Sequence, residues 1–573
     1  MSALIASYKF NSDTDTWPIF NEEFTYNYID TDNGDNTISR IITLASGDFP
    51  TSISFSGQTG LLEVDHLEVS NLTSLSWMFQ DCTNLISVNA SGWRTGKVTS
   101  MVRVFQNCQK LKTLNVSDWD VSKVQTMYYL FFQCYELETI IGLDTWNTAS
   151  LVDMASVFAR CYKIKSLSDI EHWDVSSVTR ADRLFYECKE ITELDLSNWD
   201  LKVTHIVVPG NDGGEGFQAM FYGCVKLTSL NLSGWDTSAV NNLECTFYNC
   251  YLLETLKIDN WDTSSVRTME CTFYCCRALK SLDLSSWITY NNEILYGTFY
   301  GCTALEELNI SNWYITYYPG YMFANCTALK TLIIDNCDFY EVLDARYMFM
   351  NCSSLTELNL NNWDMRECQS LLGMFYNCVA LKTLNIDKWN VENVIIMSGT
   401  FCNCYNLEKI NINSWNTKNL KQINSILSGC ANLKEINLSN WNTSKCIAIA
   451  GAFSSCQKLL ELNISNWKTK QITEISHYQG IVMNCPSLCM ITIKKCDNIN
   501  LINDIIAYCP NRNGNYWGVL NIMNTPIIRG INFYMAKNQG WKIYYRDKDR
   551  PIPHRIKDKE TISKLKNKYT KKH

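Results

Sequence analysis

The stretch that decides the fold is Phe221 to Leu243, FYGCVKLTSLNLSGWDTSAVNNL. Leu227, Leu230 and Leu232 make an L-x-x-L-x-L run whose end alternates as a short strand does. Trp235 follows as a corner, and the oxygens of Asp236, Thr237 and Ser238 are suited to capping the turn after the strand. Ahead of the next cysteine, apolar residues such as Met269 and Phe273 are four apart, which predicts one turn of helix. Each unit of pattern thus reads as strand, tryptophan corner and tight helical segment.

The pattern recurs along the chain. Cysteine returns at 82, 108, 134, 161, 188, 224, 250, 276, 302, 326, 352, 378, 404, 430, 456 and 485, mostly in steps of 26. Three residues before it stands phenylalanine, as in Phe247 and Phe273, with Leu427 and Val482 as exceptions. Eleven or twelve residues after it stands tryptophan, as in Trp119, Trp235 and Trp261, so that fourteen of 18 tryptophans are periodic. One such unit cannot bury its own leucine, phenylalanine and tryptophan, whereas stacked units make a continuous core and a parallel ladder. The fold class expected is an α/β repeat, a leucine-rich-repeat solenoid with one parallel sheet and a small β-rich N-terminal domain. Trp119, Trp235, Trp261, Phe247, Phe273, Cys250 and Cys276 are its structural residues.

The pattern MFxxCxxLxxLxLSxWxTSxVxxM resembles the BspA-like leucine-rich repeats, and the resemblance covers roughly residues 72–496. It implies a solenoid used for adhesion or protein contact, and no enzyme. Cys337 and Cys496 depart from the pattern by standing where tryptophan is expected, which predicts local repacking.

Outside the repeats, residues 1–60 hold β-like runs, FTYNYI and SRIITL, separated by the turn-like DTDNGDN. The expected organisation is a β-rich N-terminal cap or attachment domain at 1–60, the solenoid of about sixteen turns at 61–496, a C-terminal cap at 497–545 and a basic tail at 546–573. That tail carries eleven basic and four acidic residues, a net of +7, against −8 for the whole chain, so the body 1–545 carries −15. An acidic body does not read as a nucleic-acid-binding domain, since phosphate neutralisation needs a basic folded face. No run of about 18 apolar residues is present, so no membrane insertion is expected. The first residues, MSALIASYKFNSDTDTW, do not read as a secretory signal.

Catalytic chemistry finds no constellation. The 26 cysteines read as small buried residues rather than a disulfide framework, and the tight cluster Cys271, Cys275 and Cys276 has no histidine at ligand spacing. The six histidines fall in unrelated registers. No catalytic residue, no cofactor and no metal site is expected. Asn-x-Ser/Thr recurs at Asn115, Asn231, Asn309, Asn437 and Asn463 on one strand position, which reads as a polar stripe rather than as glycosylation sites.

Breaks in a solenoid map to loops on one side, often the binding side. About ten extra residues between Trp199 and Phe221 predict a protruding loop with His205, Asn211 and Asp212 as contact residues. The turn from Trp313 to Phe323 is two residues short and holds Tyr314, Tyr317 and Tyr318. Tyrosine two before the cysteine, at Tyr222, Tyr248, Tyr274 and Tyr300 among others, predicts a ladder of rings for protein or sugar contact. The function expected is that of a non-enzymatic structural or adhesion protein. Its expected setting is a phage virion, as a tail-fibre or tail-associated host-recognition component. The alternatives are a bacterial cell-surface adhesin or an intracellular interaction scaffold, with cell surface or cytoplasm as the location. Expected partners are other virion or assembly proteins and a host-surface protein or glycan. A homo-oligomer stays open, and no specific nucleic acid is expected.

Overall fold

The computed structural model describes residues 3–20, 24–201, 216–475, 480–508, 518–525 and 530–545. The chain divides into two compact units, Met1–Asn292 and Glu293–His573. The first opens with an antiparallel sheet of β1 (Leu4–Asn11), β2 (Thr25–Asp32), β3 (Thr37–Ser46) and β4 (Leu61–Leu67), in the order β2-β3-β1-β4. The β2–β3 connection is the predicted turn, with Gly34 at φ 74° and its N–H held by the Asp32 carboxylate at 2.8 Å. The other edge of β4 pairs in parallel with Ser87–Val88, matching Val64 to Val88. An antiparallel sheet therefore closes the first edge of a parallel ladder, and no open edge is left there. Phe55 already belongs to the coil: its ring stacks on Phe79 at 5.9 Å and its carbonyl accepts the Cys82 thiol at 3.1 Å.

One winding shows how the rest is made. Strand Ser229–Asn231 lies in parallel between Glu193–Asp195 and Thr255–Lys257, with Leu194, Leu230 and Leu256 in register. Asn231 then folds its side chain back, its Oδ1 accepting the Ser233 Oγ–H at 2.9 Å. Asn115, Asn309 and Asn463 do the same for the serine two residues on, and Asn437 accepts the Ser439 backbone N–H. The asparagine column is a column of turn caps, which explains the recurring Asn-x-Ser without glycans. After the Trp235 corner, Asp236 caps Ser238, and buried Thr237 donates to the carbonyl of Asp262 one winding later at 2.9 Å.

The segment before each cysteine is not the helical turn expected from Met269 and Phe273. Thr272 N–H reaches the Met269 carbonyl and Cys276 N–H the Phe273 carbonyl, each three residues back, while Cys271 and Cys275 sit at φ 53° and 58°. Left-handed residues recur every fourth position, for example Ala219 and Gly223, then Cys245 and Asn249. They turn alternate N–H groups sideways, so that Phe217, Ala219, Phe221 and Gly223 donate to Asn242, Glu244, Thr246 and Tyr248 of the next winding at 2.7–2.9 Å. A helix would consume those donors internally; the tight turns spend them on a second inter-winding ladder. The α-helices among the described residues fall after the repeats, as α1 (Ile499–Tyr508) and α2 (Phe533–Asn538).

Three columns of side chains fill the interior. In the first unit Phe79, Phe105, Phe131, Phe158, Phe185, Phe221, Phe247 and Phe273 stack at 5.4–6.0 Å between successive rings. Trp235 stacks on Trp261 at 6.4 Å and Trp93 on Trp119 at 5.5 Å, nearly parallel in both cases. The second unit repeats this with Phe323, Phe349, Phe375 and Phe401 and with Trp389, Trp415 and Trp441. The cysteine column donates its thiols to the phenylalanine carbonyls of the preceding winding, as Cys250 to Phe221 at 3.1 Å and Cys276 to Phe247 at 3.2 Å. No disulfide joins the described cysteines, and burial pushes the thiols of Cys82, Cys224 and Cys352 up to about 12.

Of the two departures Cys337 keeps the tryptophan's donor, whereas the Cys496 thiol turns to the Asn498 carbonyl at 3.4 Å. Tryptophan Nε1 normally donates to a carbonyl of the winding before, as Trp389 to Leu360 at 2.7 Å. Cys337, in a tryptophan position, gives its thiol to the Ile310 carbonyl at 3.0 Å, and buried Phe339 fills the indole space by stacking on Trp363. At the C-terminal end, Met490–Thr492, Gly518–Asn521 and Trp541–Tyr544 continue the parallel ladder of Glu435–Asn437 and Glu461–Asn463. Truncating one buried tryptophan removes stacking on both sides and one charge-neutral donor. Trp235→Ala is expected to cost about 3–5 kcal/mol, read as a lowered denaturant midpoint, with Trp235→Phe losing less.

Candidate contact surfaces

The second ladder places one tyrosine column at its outer side. Because the residue two before each cysteine lies between two left-handed positions, its side chain leaves the core. Tyr186, Tyr222, Tyr248 and Tyr274 stack at 4.7, 4.6 and 4.4 Å, within 13° of parallel. All four are half-buried. Rings stacked face to face along the coil cover each other's flat faces and present edges and hydroxyls outward. The column expected from the sequence therefore exists in the first unit, but its ring faces are taken. Burial pushes Tyr222 up to about 12 and raises Tyr248, so both stay protonated well into alkaline pH. In the second unit Tyr300 is tilted by 52° against Tyr321, which in turn meets Tyr347 at 5.0 Å and 36°.

The two-residue-short turn produces a different surface. Strand Tyr314–Thr316 pairs in parallel with Asp338–Tyr340, setting Tyr314 against Asp338 and Thr316 against Tyr340. Tyr314, Tyr317, Tyr318 and Tyr340 are 44, 36, 48 and 54% exposed. Tyr317, Tyr340, Glu341, Leu343, Asp364, Arg366 and Glu367 line an open pocket of about 310 Å³. The hydroxyls of Tyr317 and Tyr340 both turn to the Glu341 carboxylate, whose charge raises both phenols. Tyr317 and Glu341 are at φ 42° and 55°, a left-handed backbone that neither side chain favours. Arg366 forks onto Asp364, with Nη2 to Oδ2 at 2.5 Å, and holds that carboxyl below its ordinary range. The pocket thus carries three carboxylates against one guanidinium, beside two open phenol rings.

Sequence reasoning found Tyr317 here but missed Tyr340, Glu341, Asp364, Arg366 and Glu367. The available signals were the shortened turn and Cys337 in a tryptophan position, which lie on either side of the site. His205, Asn211 and Asp212, with most of the insertion, lie outside the described residues. Trp119, Trp235, Trp261, Phe247, Phe273, Cys250 and Cys276 are all buried in the three columns. Among the described residues no group of three or more histidine, cysteine, aspartate or glutamate side chains is placed to hold a metal ion. No described helix is long and apolar enough to cross a membrane.

The tyrosine column also predicts an alkaline limit to stability. A phenol whose folded pKa of about 12 exceeds its unfolded value of about 10 contributes stability below pH 10, and that contribution disappears as pH rises through 12. Denaturant midpoints are therefore expected to fall between pH 10 and 12, and less steeply in Tyr222→Phe.

Comparison with known proteins gives a family. The coil is similar to the structure of a TLR13–ssRNA13 complex, at 15% identity, with 84% of this chain and 80% of that chain covered and a TM-score of 0.21. It is similar to the Toll–Spatzle complex of Drosophila at 14% identity, covering 81% and 55%, with a TM-score of 0.22. It is similar to PEPR1–AtPEP1 at 11% identity, covering 84% and 88%, with a TM-score of 0.16. No curated protein matches the sequence. The family described as "Mycoplasma protein of unknown function, DUF285" matches residues 51–142, 101–207, 215–319, 318–408 and 370–481, which together span most of the chain. The chain belongs to that family.

Proposed function

We propose that the protein is a non-enzymatic contact protein whose coil is a scaffold and whose second unit carries the contact surface, at the tyrosine patch around Tyr317 and Tyr340. The observation that supports this is the coincidence of the shortened turn, four exposed tyrosines and the 310 Å³ pocket in one place. Elsewhere in the described repeats the column phenylalanines and tryptophans are buried. Tyrosine supplies large, stiff, amphipathic area at low entropic cost, and such residues dominate binding energy at protein interfaces. Two phenol faces beside Glu341, Asp364 and Glu367 favour a cation, so the partner is a protein that offers a lysine or arginine side chain.

The finer reading places the protein on a virion, as a tail-fibre or tail-associated component, and is supported by the resemblance to bacterial adhesion repeats. Mass spectrometry of purified virions from the same source is expected to find the chain. Its detection on intact cells free of phage would instead make it a cell-surface adhesin.

The contact surface itself is tested by binding to intact bacterial cells. Tyr340→Ala, at an exposed position, is expected to weaken binding about tenfold, or about 1.4 kcal/mol, at an unchanged melting temperature. Raised salt should weaken the wild type as well. Equal binding by Tyr340→Ala and Tyr317→Ala removes the patch from the site, and salt-independent binding points to a neutral glycan.

A further inference from the structure

Twenty-three of the 25 described cysteines are buried, and the two that are not, Cys245 and Cys271, are neighbours. They occupy the same register, five before the column cysteine, on successive windings 26 residues apart. The backbone holds them side by side: Cys245 N–H donates to the Glu270 carbonyl at 2.9 Å, flanked by Leu243 to Thr268 and Phe247 to Thr272 at 3.0 and 2.9 Å. Windings paired in this way lie about 4.8 Å apart, inside the Cα separation of about 4.4–6.8 Å that a disulfide spans. The Cys271 side chain is the foremost influence on the Cys245 thiol, which it raises.

Packing does not account for cysteine here. Both residues are left-handed, at φ 54° and 53°, a position that other windings give to Gly373, Gly399 and Gly451 or to Ser156 and Ser425. No core is filled by either side chain, and neither donates to a column carbonyl as Cys250 and Cys276 do. Cys275, one register over and buried, has Asn249 as its counterpart on the preceding winding.

We propose that Cys245 and Cys271 form a modification site, a thiol pair that a low-molecular-weight disulfide oxidises to a bond joining two successive windings. One cysteine gives up its proton, and its sulfur attacks a sulfur of R–S–S–R, forming a mixed disulfide and expelling RS⁻, which takes up a proton. The second cysteine, deprotonated in turn, attacks the protein sulfur of the mixed disulfide. The Cys245–Cys271 bond forms and the second RS⁻ leaves to be protonated. Two electrons pass from the protein to the small disulfide, which ends as two thiols. The Cys271 side chain, burial and the charges of Glu244 and Glu270 raise the Cys245 thiol, so exchange accelerates with pH and on neutralising those glutamates.

The test treats the full chain with glutathione disulfide, alkylates it under denaturing conditions and maps peptides by mass spectrometry. The 26 thiols of the chain are expected to fall by two, with one linked peptide pair carrying Cys245 and Cys271. Cys271→Ser should stop at a mixed disulfide on Cys245, and Glu244→Gln with Glu270→Gln should form the link faster. A chain that keeps both thiols, gains only glutathione adducts, or links other cysteines instead overturns the proposal, and because the wild type carries the main readout, a variant that fails to fold does not obscure it.

Discussion

A backbone carbonyl has two lone pairs, and this fold uses both of them at two recurring places along the coil. The Phe79 carbonyl accepts the Cys82 N–H of its own winding at 3.1 Å and the Cys108 thiol of the next at 3.1 Å. The Leu196 carbonyl accepts Trp199 N–H at 3.1 Å and the Trp235 indole at 2.9 Å. Each shared acceptor closes a turn and ties it to its neighbour, so most buried donors of the two rows are satisfied without water, Trp93 and Trp119 Nε1 being exceptions. The arrangement also dictates residue type. The first site needs a small apolar side chain with one weak donor, which is cysteine. The second needs a large flat ring with one donor at its rim, which is tryptophan.

The same constraint explains how the coil tolerates irregularity. Between Cys188 and Cys224 the step is 36 residues instead of 26, yet Cys224 still reaches the Phe185 carbonyl at 3.2 Å and the Phe185 and Phe221 rings still stack at 5.4 Å. The register survives the extra length. Likewise Cys337 keeps the donor of the missing tryptophan while Phe339 supplies the missing bulk. Losing a ring costs packing, which a neighbour can refill. Losing the donor would leave a buried carbonyl under-satisfied, and nothing nearby replaces it.

The columns were readable from the sequence because one residue type recurs in each at a fixed step. The second ladder was not, because its defining property is a backbone angle carried by unlike residues: Arg103, Tyr129, Glu187 and Cys245 all stand at positive φ. Glycine marks these positions in only some windings, such as Gly373 and Gly399, so Met269 and Phe273 at a spacing of four imitate a helix. The pocket was half legible for a related reason. Tyr317 stood out as part of a visible irregularity, whereas Asp364 and Arg366 belong to the next ordinary winding and only the stack brings them to the same side. The thiol pair was hidden too, since linear reading groups Cys271 with Cys275 and Cys276 while its spatial partner is 26 residues earlier.

Periodicity and function therefore occupy different positions, for a physical reason. A side chain repeated in every winding finds its own copy above and below it, and this self-contact satisfies whatever surface it has. The tyrosine column shows the rule on the outside of the coil, where Tyr222 and Tyr248 stack at 4.6 Å and 1° and leave only rims exposed. Surface remains available to another molecule where the copy is missing. At the short turn Tyr340 pairs with Thr316 rather than with another tyrosine, and its ring is 54% exposed. A repeat protein of this kind gains rigidity from each faithful winding and keeps side chains exposed where the copy is missing.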